Sequence, residues 1–508
     1  MNKKIFFLIL CLLCIQAMVI NIQAQGQGND EVYRPRVHFS PKAHWINDPN
    51  GLVYHKGVYH LFYQYHPFSS VWGPMHWGHA TSSDLVHWKE QPIALYPDSL
   101  GYIFSGSAVV DKMNTSGFGK NGKAPLVAIF THHDMVKEKQ NRSDVQTQSI
   151  AYSLDDGRTW TKYAGNPVIK NPGIIDFRDP KVMWYAPQKK WVMTLAAQDH
   201  IAFYSSPDLK TWAKESEFGK EAGAHGGVWE CPDLITLDDN GKQRWVLIVN
   251  INPGAPNGGS GTQYFIGDFD GKNFTTNQTN ARWMEYGPDN YAGVTWSNTG
   301  KRKILIGWMS NWLYANLVPT ETWRNATTIP RELKLKHAGE DIFLVSQPVP
   351  ELSKIQSKPV VIQNLRLTGD IDIAKKTGKI KIPCRINLSL DEINDFSLTI
   401  ANEAGEEVVV GYDKKQKQYF IDRTKSGKTD FQKNFAARHF APRLSSNAKM
   451  TMSLVIDVSS VELFADDGLT VMTSLFFPNK PYSQIHIQSP GNTTISKFEY
   501  IGFKTPWP

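Results

Sequence analysis

Cysteine is scarce in this chain: four in 508 residues, and two of them, Cys11 and Cys14, fall inside an N-terminal apolar run. The other two, Cys231 and Cys384, are too few for a disulfide framework and lack metal-ligand spacing, so the fold has to rest on its core. Charge is thin as well, at 20% of residues, and the net charge of +7 comes from 55 Lys and Arg interspersed with 48 Asp and Glu. No basic run lies among aromatics, which argues against a nucleic-acid partner; a neutral partner fits the charge as well as an acidic one. Long heptads are missing, and beyond the N-terminal run nothing is apolar for long enough to span a bilayer. A P-loop, a Gly-x-Ser-x-Gly string and a His-Glu-x-x-His string are absent too. No cofactor and no metal site is expected.

What the chain has in quantity is tryptophan, tyrosine, glycine and proline, at 16, 19, 38 and 29 residues, the usage of short strands joined by tight turns. An all-β fold follows. Met1-Asn-Lys-Lys4, an apolar run from Ile5 to Ile20 and a small-residue end near Ala24 read as a Sec-type signal peptide over residues 1–24. The mature protein is therefore expected to be exported, to a periplasm or outside the cell. Neither Cys11 nor Cys14 follows the small residue that lipoprotein processing prefers, so cleavage near Ala24 is favoured over a lipid anchor.

The body is organised by a weak repeat. Ser-Ser-Asp84-Leu-Val-His-Trp88, Leu-Asp155-Asp156-Gly-Arg-Thr-Trp160, Ser-Pro-Asp208-Leu-Lys-Thr-Trp212 and Asp268-Phe-Asp270-Gly-Lys-Asn-Phe274 are each an Asp-led turn closed by an aromatic four residues on. Strand-like runs flank them, which is the signature of propeller blades over residues 25–345. The alternative, a common hairpin that recurs by chance, leaves the region all-β. Ser346-Gln-Pro-Val-Pro-Glu351 and the stretch to Pro359 read as a linker over 346–359. From 360 to 508, alternating runs such as Phe396–Ile400, Glu407–Val410, Met452–Asp457, Val461–Phe464 and Gln484–Gln488 suggest a β-sandwich.

Three acids stand beside prolines and aromatics. In Trp45-Ile-Asn47-Asp48-Pro49-Asn-Gly51, a rigid Pro and a permissive Gly aim the carboxylate, although an ordinary Asx turn has the same string. In Asp176-Phe-Arg178-Asp179-Pro180, the neighbouring guanidinium is expected to keep Asp179 ionised, as a structural ion pair would too. In Trp229-Glu230-Cys231-Pro232, apolar neighbours are expected to desolvate Glu230 and raise its pKa, as a general acid needs; a strand-end Glu capping a turn is the bland reading. Three acids among aromatic platforms suit carbohydrate better than phosphate or peptide, since glycoside cleavage takes one acid and one carboxylate on opposite sides of the sugar carbon.

The strings Trp45-Ile-Asn-Asp-Pro-Asn-Gly51, Tyr63-Gln-Tyr65, Phe104-Ser-Gly-Ser107, Phe177-Arg-Asp-Pro180 and Trp229-Glu-Cys-Pro232, in this order, resemble glycoside hydrolase family 32, the invertases, inulinases, levanases and fructan exohydrolases. The resemblance runs from about His38 to the C-terminus. It implies a five-bladed β-propeller followed by a β-sandwich, with Asp48 as nucleophile, Glu230 as acid/base and Asp179 as a stabiliser that binds fructose hydroxyls. It also implies a fructose pocket lined by Asn47, Gln64, Trp72, Phe104, Ser105, Arg178 and Trp308. Trp45 and Trp77 are left between pocket wall and core, and Cys231 is expected to pack behind Glu230 as an inert thiol.

The implied reaction is retaining hydrolysis of a β-fructofuranosyl bond in a fructan or fructo-oligosaccharide. Gly307-Trp-Met-Ser-Asn-Trp-Leu-Tyr314, Pro319-Thr320 and Trp323-Arg324 are similar to the form in exo-acting inulinases and levanases, and less like sucrose-dedicated invertases. Ser310 departs from the Asn more often found there, which puts little in doubt. Levan against inulin, exo against endo action and the oligomeric state stay open. The rivals are a non-catalytic glycan-binding protein and an inverting furanosidase acting on arabinan.

Overall fold

The computed structural model describes residues 31–507 except Lys379; the leader expected over residues 1–24 lies outside them. Five small antiparallel sheets follow one another along the chain. Blade I contains His44–His55, Val58–His66, His76–Ser82 and Lys89–Leu95; blade II contains Tyr102–Val110, Leu126–His133, Gln146–Ser153 and Thr161–Lys162. Blade III contains Phe177–Tyr185, Lys190–Ala197, His200–Ser206 and Ala213–Phe218; blade IV contains Val228–Asp239, Lys242–Asn252, Gly261–Phe269 and Phe274–Thr275. Blade V contains Tyr291–Thr295, Ile304–Met309, Arg331–Ala338 and Asp341–Pro348. The first strand of each blade touches the first strand of the next, and that of blade V touches that of blade I, so the blades close a five-membered propeller. Trp323–Arg324, from an excursion within blade V, pairs in parallel with His44–His55 and helps close the ring.

The repeated Asp-led turn joins the third and fourth strands of blades I to IV. Asp84, Asp208 and Asp270 each accept two backbone N–H bonds from residues two and three positions on. The closing indoles of Trp88, Trp160 and Trp212 donate back into their own turns at 3.0–3.2 Å. An acid that satisfies two turn N–H groups and an aromatic that covers them explain why this short pattern recurs.

The C-terminal part is one ten-stranded sheet folded over itself as a sandwich. Its longest strand, Gln484–Gly502, pairs with Phe396–Ala401 near its start and with Cys384–Leu390 near its end. That strand therefore belongs to both layers. Alternation is clean where one face is buried, as in Cys384–Leu390, where every other residue from Cys384 to Leu390 is buried in the sandwich core. Within residues 346–359, read as a linker, Leu352 and Ile355 of the 3-10 helix Pro350–Ile355 join Val455, Phe464 and Val471 in one apolar cluster, while Ser357, Lys358 and Pro359 are exposed.

Buried charges fasten propeller to sandwich. Arg331 of blade V is fully buried, with Glu285 on one side at 3.0 Å and Glu462 of the sandwich strand Ser460–Ala465 on the other at 3.1 Å. The His38 ring lies between Asp457 and Glu462, 2.7 Å from each. Two acceptors facing two ring nitrogens require both nitrogens to donate, which only the imidazolium can do. His38 is accordingly pushed up to about 9 by its two carboxylate partners, against the cost of burial, while Asp457 and Glu462 are held below the usual carboxylate range. A second knot sets Arg423 against Asp289 at 2.7 Å and the Tyr314 hydroxyl at 3.1 Å.

The His38 contribution is present in full below the ordinary imidazole value near 6.5 and is lost as pH rises through about 9. That of Asp457 and Glu462 is present above the ordinary 3.8 and 4.5 and is lost as pH falls below them. Thermal unfolding should therefore be most resistant in the mildly acidic range between these limits. His38→Ala, which strands two buried carboxylates, should cost about 3–5 kcal/mol there and flatten the alkaline decline, both readable by calorimetry across pH. An unchanged alkaline decline in His38→Ala would show that the histidine is not the group responsible.

Removing the sandwich should be worse than removing one ion. A chain ending at Val349 exposes Arg331, Glu285 and the apolar faces around Ile329 and Tyr314, and is expected to be insoluble or inactive. A soluble, fully active 31–349 fragment would contradict this.

Candidate active site

A strand alternates its side chains between faces, so five inner strands converging on one axis need a local device to aim chemistry along it. Each has the same device at the same level. Asn47-Asp48 oppose one residue of the neighbouring strand, as do Phe104-Ser105, Asp179-Pro180, Cys231-Pro232 and Ala292-Gly293, giving five two-against-one β-bulges. Proline, which cannot donate to a ladder, sits at or beside three of these bulges. Asp179, Cys231 and Ala292 take positive φ, at 65°, 43° and 53°, a conformation that non-glycine residues rarely adopt and that clusters at functional sites. Gly106 follows the blade II bulge with its Cα against the Ile129 carbonyl, leaving no room for a Cβ.

The bulges bring two carboxylates onto one thiol. Asp48 is half-buried; Ser105 donates to its Oδ2 at 2.7 Å and Asn47 to its Oδ1 at 3.0 Å. Asn47 is itself held by the indole N–H of Trp45 at 2.7 Å. The Cys231 thiol lies 3.5 Å from Oδ2 of Asp48 and 3.5 Å from Oδ2 of Asp179, and the Cys231 amide donates to the same Asp179 oxygen at 3.0 Å. Thr131, braced by Gln148, accepts the Asp179 amide at 3.1 Å. Burial raises Asp48, and the charge of Glu230 raises it further, against the hydrogen bonds from Ser105 and Asn47. Asp179 is pushed up to about 7, first by burial and then by the charges of Glu230 and Asp48, with Arg178 opposing. Burial and the two flanking carboxylates hold the Cys231 thiol far above its ordinary value, so it stays protonated and donates.

Two expectations change here. Arg178 does not grip its sequence neighbour Asp179: its Nη2 donates to Glu230 Oε1 at 2.8 Å, and Nη1 pairs with Asp176. Nor is Glu230 wrapped in apolar neighbours. Trp229 points into the core between blades III and IV and donates to the Ala224 carbonyl, while Glu230 faces Arg178 on one oxygen and the Tyr291 hydroxyl on the other. Both follow from alternation, which sends consecutive residues to opposite sides. Cys231, on the bulge that interrupts this alternation, lies between the two aspartates and not behind Glu230.

The remaining residues form an aromatic cluster in which Trp45 and Trp308 are fully buried core and Trp72, Phe104 and Trp312 are partly exposed. Trp45, Trp308 and Trp312 pack together with centroids 4.9–6.0 Å apart, and Trp72 meets Phe104 edge-on at 6.2 Å. Phe104 in turn stacks on His133 at 4.3 Å. Gln64 stands opposite the Asn47-Asp48 bulge and Trp308 opposite Tyr291; Gln64 Nε2 and Trp308 Nε1 are buried donors without a protein partner among the described residues. Trp77 belongs to the core, wedged between Phe62 and Phe130 with its N–H on the Phe104 carbonyl. Tyr291, Trp312, His133 and Asp176 were not picked out from the sequence as site residues. Among the described residues no group of three His, Cys, Asp or Glu side chains is placed to hold a metal.

Comparison with known proteins agrees with this geometry. The family description "Glycosyl hydrolases family 32 N-terminal domain" matches residues 38–348, and "Glycosyl hydrolases family 32 C terminal" matches residues 351–501. The chain belongs to glycosyl hydrolase family 32. It is 47% identical to a levanase of Bacillus subtilis, over all of this chain and 76% of that protein. It is 43% identical to an extracellular exo-inulinase of Aspergillus niger, over 93% of this chain and 94% of that one. The crystal structure of exo-inulinase from Aspergillus awamori superposes with a TM-score of 0.86 at 39% identity, covering 94% of this chain and 100% of the other. The family's five-bladed propeller and sandwich are thus the fold of this chain. Among the described residues no helix is long and apolar enough to cross a membrane.

Tyr291 gives the site a direct test. Removing its hydroxyl takes a hydrogen bond from a carboxylate, worth about 1.5–3 kcal/mol, so Tyr291→Phe should lower kcat/KM by about 10- to 100-fold with the fold intact. Wild-type kcat/KM in a correctly folded Tyr291→Phe would remove Tyr291 from the machinery.

Proposed function

We propose that this chain is a retaining β-fructofuranosidase that releases fructose from fructans, levan or inulin, and from sucrose. Asp48 is the nucleophile, Glu230 the acid/base and Asp179 the residue that binds fructose hydroxyls beside them. The observation that carries the reading is the division of partners around the three acids. Asp48 receives hydrogen bonds from Ser105 and Asn47 that hold it in one orientation, while Glu230, on the next blade but two, is set between a guanidinium and a phenol. The names of the relatives, levanase and exo-inulinase, support a polymeric substrate.

In the first step Asp48 attacks the anomeric carbon as the bond to the leaving oxygen breaks, and Glu230 transfers its proton to that oxygen. A covalent fructosyl ester on Asp48 results. Water then attacks the same carbon, Glu230 takes its proton, and Asp48 leaves as carboxylate. Glu230 must therefore exist in both protonation states. The Tyr291 hydroxyl suits this, because it donates to the carboxylate and can accept from the acid. Asn47, Gln64, Arg178 and Trp308 offer the N–H donors, and Trp72 and Phe104 the walls, that a fructose ring with several hydroxyls requires. The site needs no cofactor.

Asp48→Asn and Glu230→Gln should each reduce fructan and sucrose turnover by about three orders of magnitude or more without unfolding the protein. With an activated aryl fructoside, which needs little proton donation, Glu230→Gln should keep more of the first step than Asp48→Asn. Its acid limb should also move to lower pH, because the Glu230 charge that raises Asp48 is gone. NMR of the first-released fructose should show the β anomer, the retained configuration. The α anomer would overturn the assignment of Asp48, and absence of turnover on sucrose, inulin and levan would leave a binding protein.

A further inference from the structure

The first strand of blade III, Phe177–Tyr185, is an edge of its own sheet, so one row of its backbone groups faces blade II with no ladder to meet it. Side chains of blade II take the place of that ladder around the Asp179-Pro180 bulge. Ser107 donates to the Pro180 carbonyl at 2.9 Å and accepts the Val182 amide at 3.0 Å. Thr131 accepts the Asp179 amide at 3.1 Å and donates to Gln148 Oε1 at 2.7 Å, and Gln148 Nε2 donates to the Phe177 carbonyl at 2.8 Å. Four backbone groups between Phe177 and Val182 are thereby fixed from the neighbouring blade. The bulges of blades I, II and IV are held by fewer such bonds: Asn325 donates to the Ile46 carbonyl, Trp77 to the Phe104 carbonyl and Asn250 to the Cys231 carbonyl, each at 3.0 Å.

Ser107, Thr131 and Gln148 are all buried, at an interface where Val109, Ile129, Phe177 and Val182 share one apolar cluster. Polar side chains are costly there unless their donors and acceptors are used. Each hydroxyl uses its proton and a lone pair on this network, and the Gln148 amide is oriented by having an acceptor before its nitrogen and a donor before its oxygen. Packing alone gives no reason for such a set, but backbone strain does. Asp179 takes φ of 65°, and a non-glycine residue so placed persists only when its surroundings over-determine it. The bonds reach the backbone before Asp179, at it and after it. Its carboxylate is held separately, by the amide and thiol of Cys231.

We propose that Ser107, Thr131 and Gln148 are positioning residues, through which blade II holds the blade III bulge in the one conformation that presents the Asp179 carboxylate to the sugar. They act through the backbone of Asp179 and its neighbours and take no part in the chemistry. The inference rests on the proposed function, in which Asp179 binds fructose hydroxyls. Without the Thr131 hydroxyl, the Asp179 amide is left buried without its acceptor, and the strained residue relaxes and turns its carboxylate away. Ser105, two residues before Ser107 on the same strand, donates to Asp48, so one short string serves the nucleophile directly and the third acid at one remove.

The test is a double-mutant cycle on the full chain, read as kcat/KM on sucrose. Thr131→Val keeps the side-chain shape and removes the hydroxyl; Asp179→Asn removes the charge with a residue that tolerates positive φ. Thr131→Val should lower kcat/KM by about tenfold in the otherwise wild-type chain and by no more than about twofold in the Asp179→Asn background, where no carboxylate is left to position. Thr131→Ser, which keeps the hydroxyl, should stay within about twofold of wild type. Ser107→Ala, which removes the bonds to Pro180 and Val182, should follow the Thr131→Val pattern, and it carries the cycle if Thr131→Val does not fold. An equal loss in both backgrounds would assign these side chains to general packing and overturn the proposal while leaving the role of Asp179 standing. So would the absence of any loss in the wild-type background, or a loss in Thr131→Ser as large as that in Thr131→Val. Wild-type kcat/KM in Asp179→Asn alone would overturn the role given to Asp179 in the proposed function, and this inference with it.

Discussion

The molecule depends on a ring of five β-bulges. Inner strands that meet at a propeller axis would otherwise alternate side chains up and down the channel walls, and no blade could present two functional groups to one point. The extra residue in each strand breaks that alternation at a single level, and closure of the ring puts the five breaks face to face. Proline marks three of these positions because a bulge frees it from donating to a ladder. Glycine serves in the other two, Gly106 beside the bulge and Gly293 within it. Positive φ at Asp179, Cys231 and Ala292 shows where the backbone carries the strain.

Crowding three acids at that level has an electrostatic cost, and the surrounding donors decide how it is distributed. Asp48 is held by neutral donors, Ser105, Asn47 and Cys231, so burial and the charge of Glu230 raise it. Asp179 gains an amide and a share of the same thiol but no direct guanidinium contact, and is pushed up to about 7. The cation goes to Glu230, through Arg178, itself anchored on Asp176. A serine in place of Cys231 would be a stronger donor, and so would bias both aspartates towards their ionised forms. The protonated thiol is a weak and adjustable link between them.

Among the described residues the sandwich contributes no group to this site, but it is not a separable attachment. Arg331, in the third strand of blade V, is neutralised from one side by Glu285 and from the other by Glu462 of the sandwich. The segment ahead of blade I is tied in the same way, with Asp457 accepting the backbone N–H groups of Arg36 and Val37 as well as the His38 ring. Buried ion pairs add little net stability over apolar contacts, but a missing partner is expensive. The knot therefore specifies one relative placement of the two parts.

The sequence by itself determined the fold class, the repeating turn and the three acids, because each is written in contiguous residues. An Asp that caps a turn and a Trp four residues on, a run of alternating apolar positions, or an acid next to a proline needs no distant partner to be recognised. The match of five short strings to the family carried the propeller, the sandwich and the pocket walls. Which donor meets which acid was decided only by the tertiary structure. Arg178 stands one residue from Asp179 and fifty-two from Glu230, yet pairs with Glu230, because a strand turns neighbours apart and the ring brings blades III and IV together. Trp312 lay unremarked inside the string Gly307–Tyr314, and Tyr291 and His133, although each stands near an acid, were not set apart from other strand aromatics: their placement arises only where blades I, II, IV and V meet at the axis.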